Sequence, residues 1–322
     1  MNDLITDVKV LQEETLNNLK NSKANNTIRA YKSDFKDFGA FCVKNGFKHL
    51  PTEPKIVSFY ITHLSMNDIK MSTLRRRLVS IGVIHRLKGF YLDTKHPIII
   101  ENLMGIKRKK GSYQKGKKPL LINQLKLVID AIDNDSYDET GIRKLRDKTI
   151  ILLGFAGGFR RIELISIDFE DLEFVSEGVK KFIRKTKTDQ FGEGMFKGLP
   201  YFDNQKFCPV LHLKRWLKVS GIKSGPIFKR FSKGLILGKN RLTDQSVALL
   251  LKKYLLKAGI ENQNYSGHSL RSGFATASAE SGADERSIMA MTGHKTSQMV
   301  RRYIKEANLF KNNALNKVKI SL

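Results

Sequence analysis

The chain has 322 residues, with 58 Lys plus Arg against 31 Asp plus Glu, a formal net charge of +27, and 41% hydrophobic residues. That length suits two domains, the apolar fraction supplies a core, and the charge calls for a polyanionic partner, either nucleic acid or an anionic membrane surface. The longest apolar runs, 97–100 and 150–155, fall far short of a membrane span, and the first twenty residues carry acids where a secretory signal has an apolar stretch, so nucleic acid is the expected partner and no membrane is.

Cys42 and Cys208 stand far apart with no CxxC pair, which points away from a zinc site or a disulfide framework and toward a reducing cytoplasm. Residues 2–20 carry Leu4, Val8, Leu11 and Leu19 at helical spacing. Asn25-Asn26-Thr27 can cap a second helix, whose apolar stripe is Ile28, Tyr31, Phe35, Phe38 and Phe41 or Cys42, with Gly46 ending it. Pro54 opens a third helix over 55–64. Ser72 opens a fourth, to about residue 88, striped by Leu74, Leu78, Ile81 and Ile84. The rest of that helix carries Arg75, Arg76, Arg77, Arg86 and Lys88. Three consecutive arginines cannot all pair internally, so this surface is expected to lie along phosphates. The N-terminal part, 1–104, therefore reads as a helical bundle that binds DNA.

The run 105–118, GIKRKKGSYQKGKK, holds seven Lys or Arg, no acid and three glycines. It reads as a basic interdomain linker that orders as a strap on DNA, through Lys107, Arg108, Lys109 and Lys110.

The second domain, 119–322, is expected to begin with helices over 120–132 and 145–155, the latter apolar enough to be central. Short β-rich segments follow at 172–175, 179–187 and 195–202, with Ser176-Glu177-Gly178 as a turn, reading as a small antiparallel sheet. Gly192-Glu193-Gly194 with Gly198 lacks the strand–helix setting of a nucleotide site and reads as a hairpin loop. Helices are expected again at 208–219 and 245–258. The fold class is thus mainly α with a small antiparallel β-sheet.

The polar residues that stand out lie in two places. Arg160 follows Gly157-Gly158, with Glu163 three residues on to orient its guanidinium. His268 and Arg271 share a helix face one turn apart, followed by the small residues Gly273, Ala275, Ala277 and Ala279. Asp284 can cap the next helix and Gly293 can stop it, which puts His294 at a helix end. Tyr303 lies on a further short helix. Taken singly, each residue also fits an ordinary role: an ion pair, a satisfied histidine or a core aromatic.

Together these residues resemble the tyrosine recombinase, or phage integrase, family over essentially the whole chain. The resemblance rests on Arg160 in GFRRIEL, Lys187 in RKTKTD, His268 and Arg271 in HSLR, His294 in TGH, and Tyr303. It implies a two-domain, C-shaped clamp with an N-terminal helical SAM-like core-binding domain and a C-terminal catalytic domain. It also implies Tyr303 as nucleophile, Arg160 and Arg271 as catalytic arginines, and a general-acid lysine on the β-hairpin, taken as Lys187 with Lys185 as its rival. His268 is the candidate base, and His294 is expected to donate a hydrogen bond to the phosphate. No metal or ATP is implied, since arginines neutralise the phosphate and the ester keeps the bond energy.

The implied partner is double-stranded DNA with inverted-repeat core sites, bound by a synaptic homo-tetramer in the nucleoid. The tail 304–322, with Leu309, Phe310, Leu315 and Val318, can pack on its own domain; the resemblance implies instead that it docks on a neighbouring protomer. The expected role is integration or excision of a mobile element. The alternatives are Xer-like resolution of chromosome or plasmid dimers, a type IB topoisomerase, and a DNA-binding protein that no longer cuts.

Overall fold

The computed structural model describes residues 7–21, 24–111, 116–136, 140–184, 194–307 and 314–317. The chain divides into two compact units, Met1–Lys115 and Gly116–Leu322.

The first unit is helical: α1 Val8–Asn21, α2 Asn25–Lys44, α3 Pro54–Met66, α4 Met71–Leu87 and α5 Pro97–Lys110. Apolar side chains at three- and four-residue intervals bury one stripe of each of α2 to α5. Phe38 and Cys42 of α2, Val57, Tyr60 and Ile61 of α3, Leu74 and Ile81 of α4, and Ile99 and Leu103 of α5 form one core. Gly46, at φ 72°, lets the chain leave α2, and the Phe47 N–H closes back on the Cys42 carbonyl at 2.8 Å. His85 is buried but satisfied: Nδ1 donates to the Ile81 carbonyl at 2.9 Å and Nε2 accepts from the Thr52 N–H at 3.2 Å. Burial lowers its pKa and favours this neutral form.

α5 corrects the expected linker at 105–118. Gly105–Lys110 continues a helix that starts at Pro97, because Ile99, Leu103 and Ile106 keep a buried stripe running beneath the basic residues. Its four last-turn cations also complement the helix dipole, and Gly111, at φ 72°, ends it. The basic run masked this periodicity in the sequence.

The second unit opens with α6 Ile122–Asp133 and α7 Ile142–Ala156. α7 is buried almost all round from Arg146 to Ala156 and packs against later helices on several sides. The five-residue α8, Arg161–Ile165, follows. Strands β1 Leu172–Val175, β2 Gly178–Ile183 and β3 Met195–Pro200 form an antiparallel sheet in that order. Val179 pairs with Leu199 and Lys181 with Lys197, all four facing inward. Residues 185–193, with both candidate lysines and most of the glycine-rich loop, lie outside the described residues.

α9 Pro209–Ser220 packs on α7 and buries Trp216, whose Nε1 donates to the Ile227 carbonyl at 2.8 Å. A second hairpin, β4 Lys229–Phe231 with β5 Leu237–Arg241, was not legible: KRF and LGKNR show no apolar alternation. It is fixed by tertiary contacts instead, with Arg241 donating to the Ile165 carbonyl at 2.8 Å and pairing with Asp168 at 2.6 Å.

α10 Asp244–Lys257, α11 His268–Glu280, α12 Glu285–Thr292 and α13 Ser297–Ala307 complete the unit. The small residues of α11 do what their size suggests. A Cβ on Gly273 would lie 2.1 Å from the Leu120 carbonyl oxygen, so only glycine permits that approach. The tail residues Leu309, Phe310 and Val318 lie outside the described residues. The architecture is mainly α with small antiparallel sheets, as expected.

Candidate phosphate-binding active site

The site is built around the turn Gly157-Gly158. Gly158 has φ 52°, a left-handed conformation that a side chain would strain. The turn carries the chain out of α7 and presents Arg160 just before α8. Glu163, itself buried, receives the Arg160 backbone N–H at 2.9 Å and its Nη1 at 2.6 Å. The second nitrogen, Nη2, points toward the Gly293 carbonyl at 3.4 Å. Glu163 therefore orients Arg160, as its spacing suggests.

Arg271 enters the same space from α11. It is 1% exposed, with Nη1 donating to the Gly158 carbonyl at 2.9 Å and Nη2 to His294 Nε2 at 3.1 Å. Its Nε is buried with no hydrogen-bond partner among the described residues. Burial first, then Arg160, pushes its pKa down to about 10. Two guanidiniums share the site with one carboxylate, so it is short of negative charge.

His294 is placed by the end of α12. Asp284 caps the start of that helix, accepting from the Arg286 and Ser287 N–H groups at 2.9 and 3.0 Å, and Gly293 ends it at φ 62°. Arg271 can only donate, so His294 Nε2 accepts. Its Nδ1 then donates to Thr292 Oγ1 at 2.7 Å, and that hydroxyl donates in turn to the Ile288 carbonyl at 2.6 Å. Burial, followed by Arg271 and Arg160, holds its pKa down to about 4. In this arrangement His294 offers a lone pair rather than a proton, which differs from the donor role expected of it.

Tyr303 lies on α13, half-buried against the small cluster of Ala275, Ala279, Ile288 and Val300. Its ring centroid is 6.5 Å from that of His294, and its phenol is close enough to Arg271 to act on that guanidinium. His268, the first residue of α11, is exposed overall. Desolvation of its ring, then Arg271, Arg160 and Arg161, nevertheless lowers its pKa, which favours the neutral form a base needs.

The structure thus brings together Arg160, Glu163, Arg271, His294 and Tyr303, with His268 at the margin. Lys187 and its rival Lys185 lie outside the described residues. Among the described residues no cluster of three His, Cys, Asp or Glu could hold a metal ion, and no helix is long and apolar enough to cross a membrane.

One residue escaped sequence reading. Lys197 of β3 is 3% exposed, donates to the Gly157 carbonyl at 3.0 Å, and stands 4.5 Å over the Phe159 ring. Strand alternation carried the signal: Lys197 shares its face with the buried Leu199.

In the first unit Arg75, Arg86, Lys88, Lys107, Arg108, Lys109 and Lys110 are exposed. Lys110 reaches Asp68 at 3.1 Å and the Ser65 carbonyl. Of the three consecutive arginines only Arg77 turns inward, bonding Asp37 and the Tyr60 hydroxyl; Arg76 stays exposed while it pairs with the buried Asp34 at 2.5 Å. Asp34 and Asp37 lie on α2, far away in sequence, so the pairing could not be read from α4 alone.

The sequence profile of the phage integrase family matches residues 120–309. An "Integrase/recombinase xerD homolog" from Selenomonas ruminantium is 41% identical over 303 residues, covering 93% of this chain and 87% of the relative. A "Tyrosine recombinase XerD" from Rickettsia conorii is 27% identical, covering 84% of each. In fold the chain is similar to lambda integrase residues 75–356, solved as a dimer bound to a COC' core site. The TM-score is 0.61 at 14% identity, covering 99% of this chain and 100% of that one. It is also similar to the XerH recombinase in a post-cleavage complex with a difH substrate (TM-score 0.59, 17% identity, 82% and 73% covered). The chain belongs to the phage integrase family and is a tyrosine recombinase, an enzyme that cuts and transfers DNA strands.

Proposed function

We propose that this protein recombines DNA at specific sites through a 3′-phosphotyrosyl intermediate on Tyr303. The observation that carries this reading is the convergence of Arg160 and Arg271 beside His294 and Tyr303, with Arg271 buried and its Nε unpartnered among the described residues. A buried guanidinium in that state calls for an anionic acceptor, and a phosphodiester supplies two nonbridging oxygens.

In the first step Tyr303 Oη attacks phosphorus, the P–O5′ bond breaks, and the 5′ oxygen leaves as a hydroxyl. The phenol has an ordinary pKa of about 10, so its proton needs a neutral base, for which His268 is suited. Arg160 and Arg271 bind the nonbridging oxygens and stabilise the pentacoordinate transition state more than the ground state. A lysine of the 185–193 segment, Lys187 or else Lys185, protonates the leaving oxygen. His294 joins the phosphate once it gains a proton at Nε2. A 5′ hydroxyl of another strand then attacks the phosphotyrosyl ester and restores the phosphodiester. Neither ATP nor a metal enters these steps.

The substrate is double-stranded DNA with inverted-repeat core sites, joined in a homo-tetrameric synapse, and the role we favour is integration or excision of a mobile element. Resolution of chromosome or plasmid dimers is the second reading, favoured by the relatives named XerD and XerC. Genomic fragments selected on the Tyr303→Phe protein decide between them: sites at the ends of a mobile segment support the first, and a single chromosomal site supports the second. On a recovered site, label 3′ to the cut must leave with the 5′-hydroxyl strand and label 5′ to it must stay on the protein. The reverse polarity contradicts the proposed chemistry.

A further inference from the structure

Lys197 is an odd residue to bury. It sits mid-strand on the inward face of β3, opposite Lys181, whose own ammonium is neutralised by Asp171 at 3.0 Å. Among the described residues Lys197 has no such carboxylate in contact. Its Nζ donates to the Gly157 carbonyl at 3.0 Å and rests over Phe159. The next carbonyl in the chain, that of Gly158, receives Arg271, and Arg160 follows two residues later. One turn is therefore held from below by a β3 lysine, takes an arginine of α11 on its second carbonyl, and launches the other arginine.

We infer that Lys197 is a positioning residue for the cleavage reaction, clamping the Gly157-Gly158 turn so that Arg160 and Arg271 meet the same phosphate. This inference rests on the proposed phosphotyrosyl chemistry. At 3% exposure, with Nζ on a backbone carbonyl, Lys197 acts through the turn and does not reach the leaving oxygen.

The electrostatics agree with this geometry. The charged groups that act on Lys197 are Glu163, which raises its pKa, and Arg271, Arg160 and Lys181, which lower it. Desolvation outweighs them all and brings the value down to about 7. Near neutrality the clamp is thus a charge-assisted hydrogen bond on the acid side and a weaker neutral one on the alkaline side. A phosphate drawn in by the arginines offsets their field and favours the charged clamp.

The test compares wild type, Lys197→Met and Lys197→Arg in single-turnover adduct formation on a duplex recovered by binding selection, with thermal unfolding alongside. Lys197→Met should form adduct ~10- to 100-fold more slowly, the effect of losing a charge-assisted hydrogen bond. Its Tm should hold or rise, since a buried ammonium is gone. The ratio of wild-type to Lys197→Met rates should shrink toward alkaline pH, above the value of the phosphate-free protein, and Lys197→Arg should recover part of the rate. A Lys197→Met rate within about twofold of wild type overturns the inference. So does a loss that only follows a fallen Tm, or a ratio flat across pH. If Lys197→Met does not fold, a Lys197→Arg rate no better than background overturns it alone. Absence of adduct in wild type refutes the phosphotyrosyl chemistry instead, so the two failures are distinguishable.

Discussion

Arg160 owes its direction to Glu163, which takes both its backbone N–H and its Nη1 while itself buried. Replacing Glu163 by Gln keeps the shape but removes the charge that holds the guanidinium. Adduct formation by Glu163→Gln should fall ~10- to 100-fold, with DNA binding nearly unchanged, as expected when one charge-assisted bond is weakened. Single-turnover rates and a binding titration check both halves. His294 gives a pH signature. Its folded pKa of about 4 lies below the ordinary 6.5, so between those values the unfolded chain binds more protons. The neutral His294 contact is fully stabilising above pH 6.5 and is lost as pH falls toward 4. Thermal unfolding of wild type should therefore weaken more steeply across that window than that of His294→Gln. Parallel curves would contradict the neutral, Arg271-bound His294.

At the level of elements, α4 separates structure from binding. Arg77 bonds Asp37 and Tyr60 inside the first unit, and Asp34 beside it is buried, whereas Arg75 is exposed. Arg77→Ala should lose about 1 kcal/mol of stability through its lost hydrogen bond to the buried Tyr60 hydroxyl and the lost packing of its stem. Arg75→Ala should leave stability unchanged and remove about 0.9 from the log–log salt slope of DNA binding, the contribution of one phosphate contact. Urea unfolding and binding across salt concentrations separate the two. The same helix shows what sequence can reveal. Its apolar stripe was legible from Leu74, Leu78 and Ile81, because helical period alone sets it. The fate of its arginines was not, because their carboxylates lie on another helix. α5 was hidden because basic residues interrupt its stripe, and the β4–β5 hairpin because Arg241 rather than strand patterning holds it. In the site, the caps at Asp284 and Gly293 and the turn-spaced His268 and Arg271 were readable because local geometry dictates them. Lys197 was not, because a lysine among the basic residues of two short strands reads as surface until its face is known.

At the scale of the whole molecule, two chemistries meet in one chain. A charge of +27 draws it to a polyanion, and the paired Arg160 and Arg271 of the second unit, in the chemistry proposed, act on a single phosphate. The first property depends on many residues and fades with salt. The second depends on a few side chains spread from Arg160 to Tyr303, brought together by the Gly157-Gly158 turn, α11, α12 and α13. Binding and cutting should therefore be separable by changing one atom group that contributes nothing to the charge. The most direct measurement is adduct formation by wild type and Tyr303→Phe on the same selected duplex, resolved on a denaturing gel, with binding affinity determined in parallel. The expected result is a protein–DNA adduct with wild type, none with Tyr303→Phe, and affinities that agree within about threefold, under 1 kcal/mol. An adduct that survives the loss of the Tyr303 hydroxyl would place the nucleophile elsewhere and contradict this account.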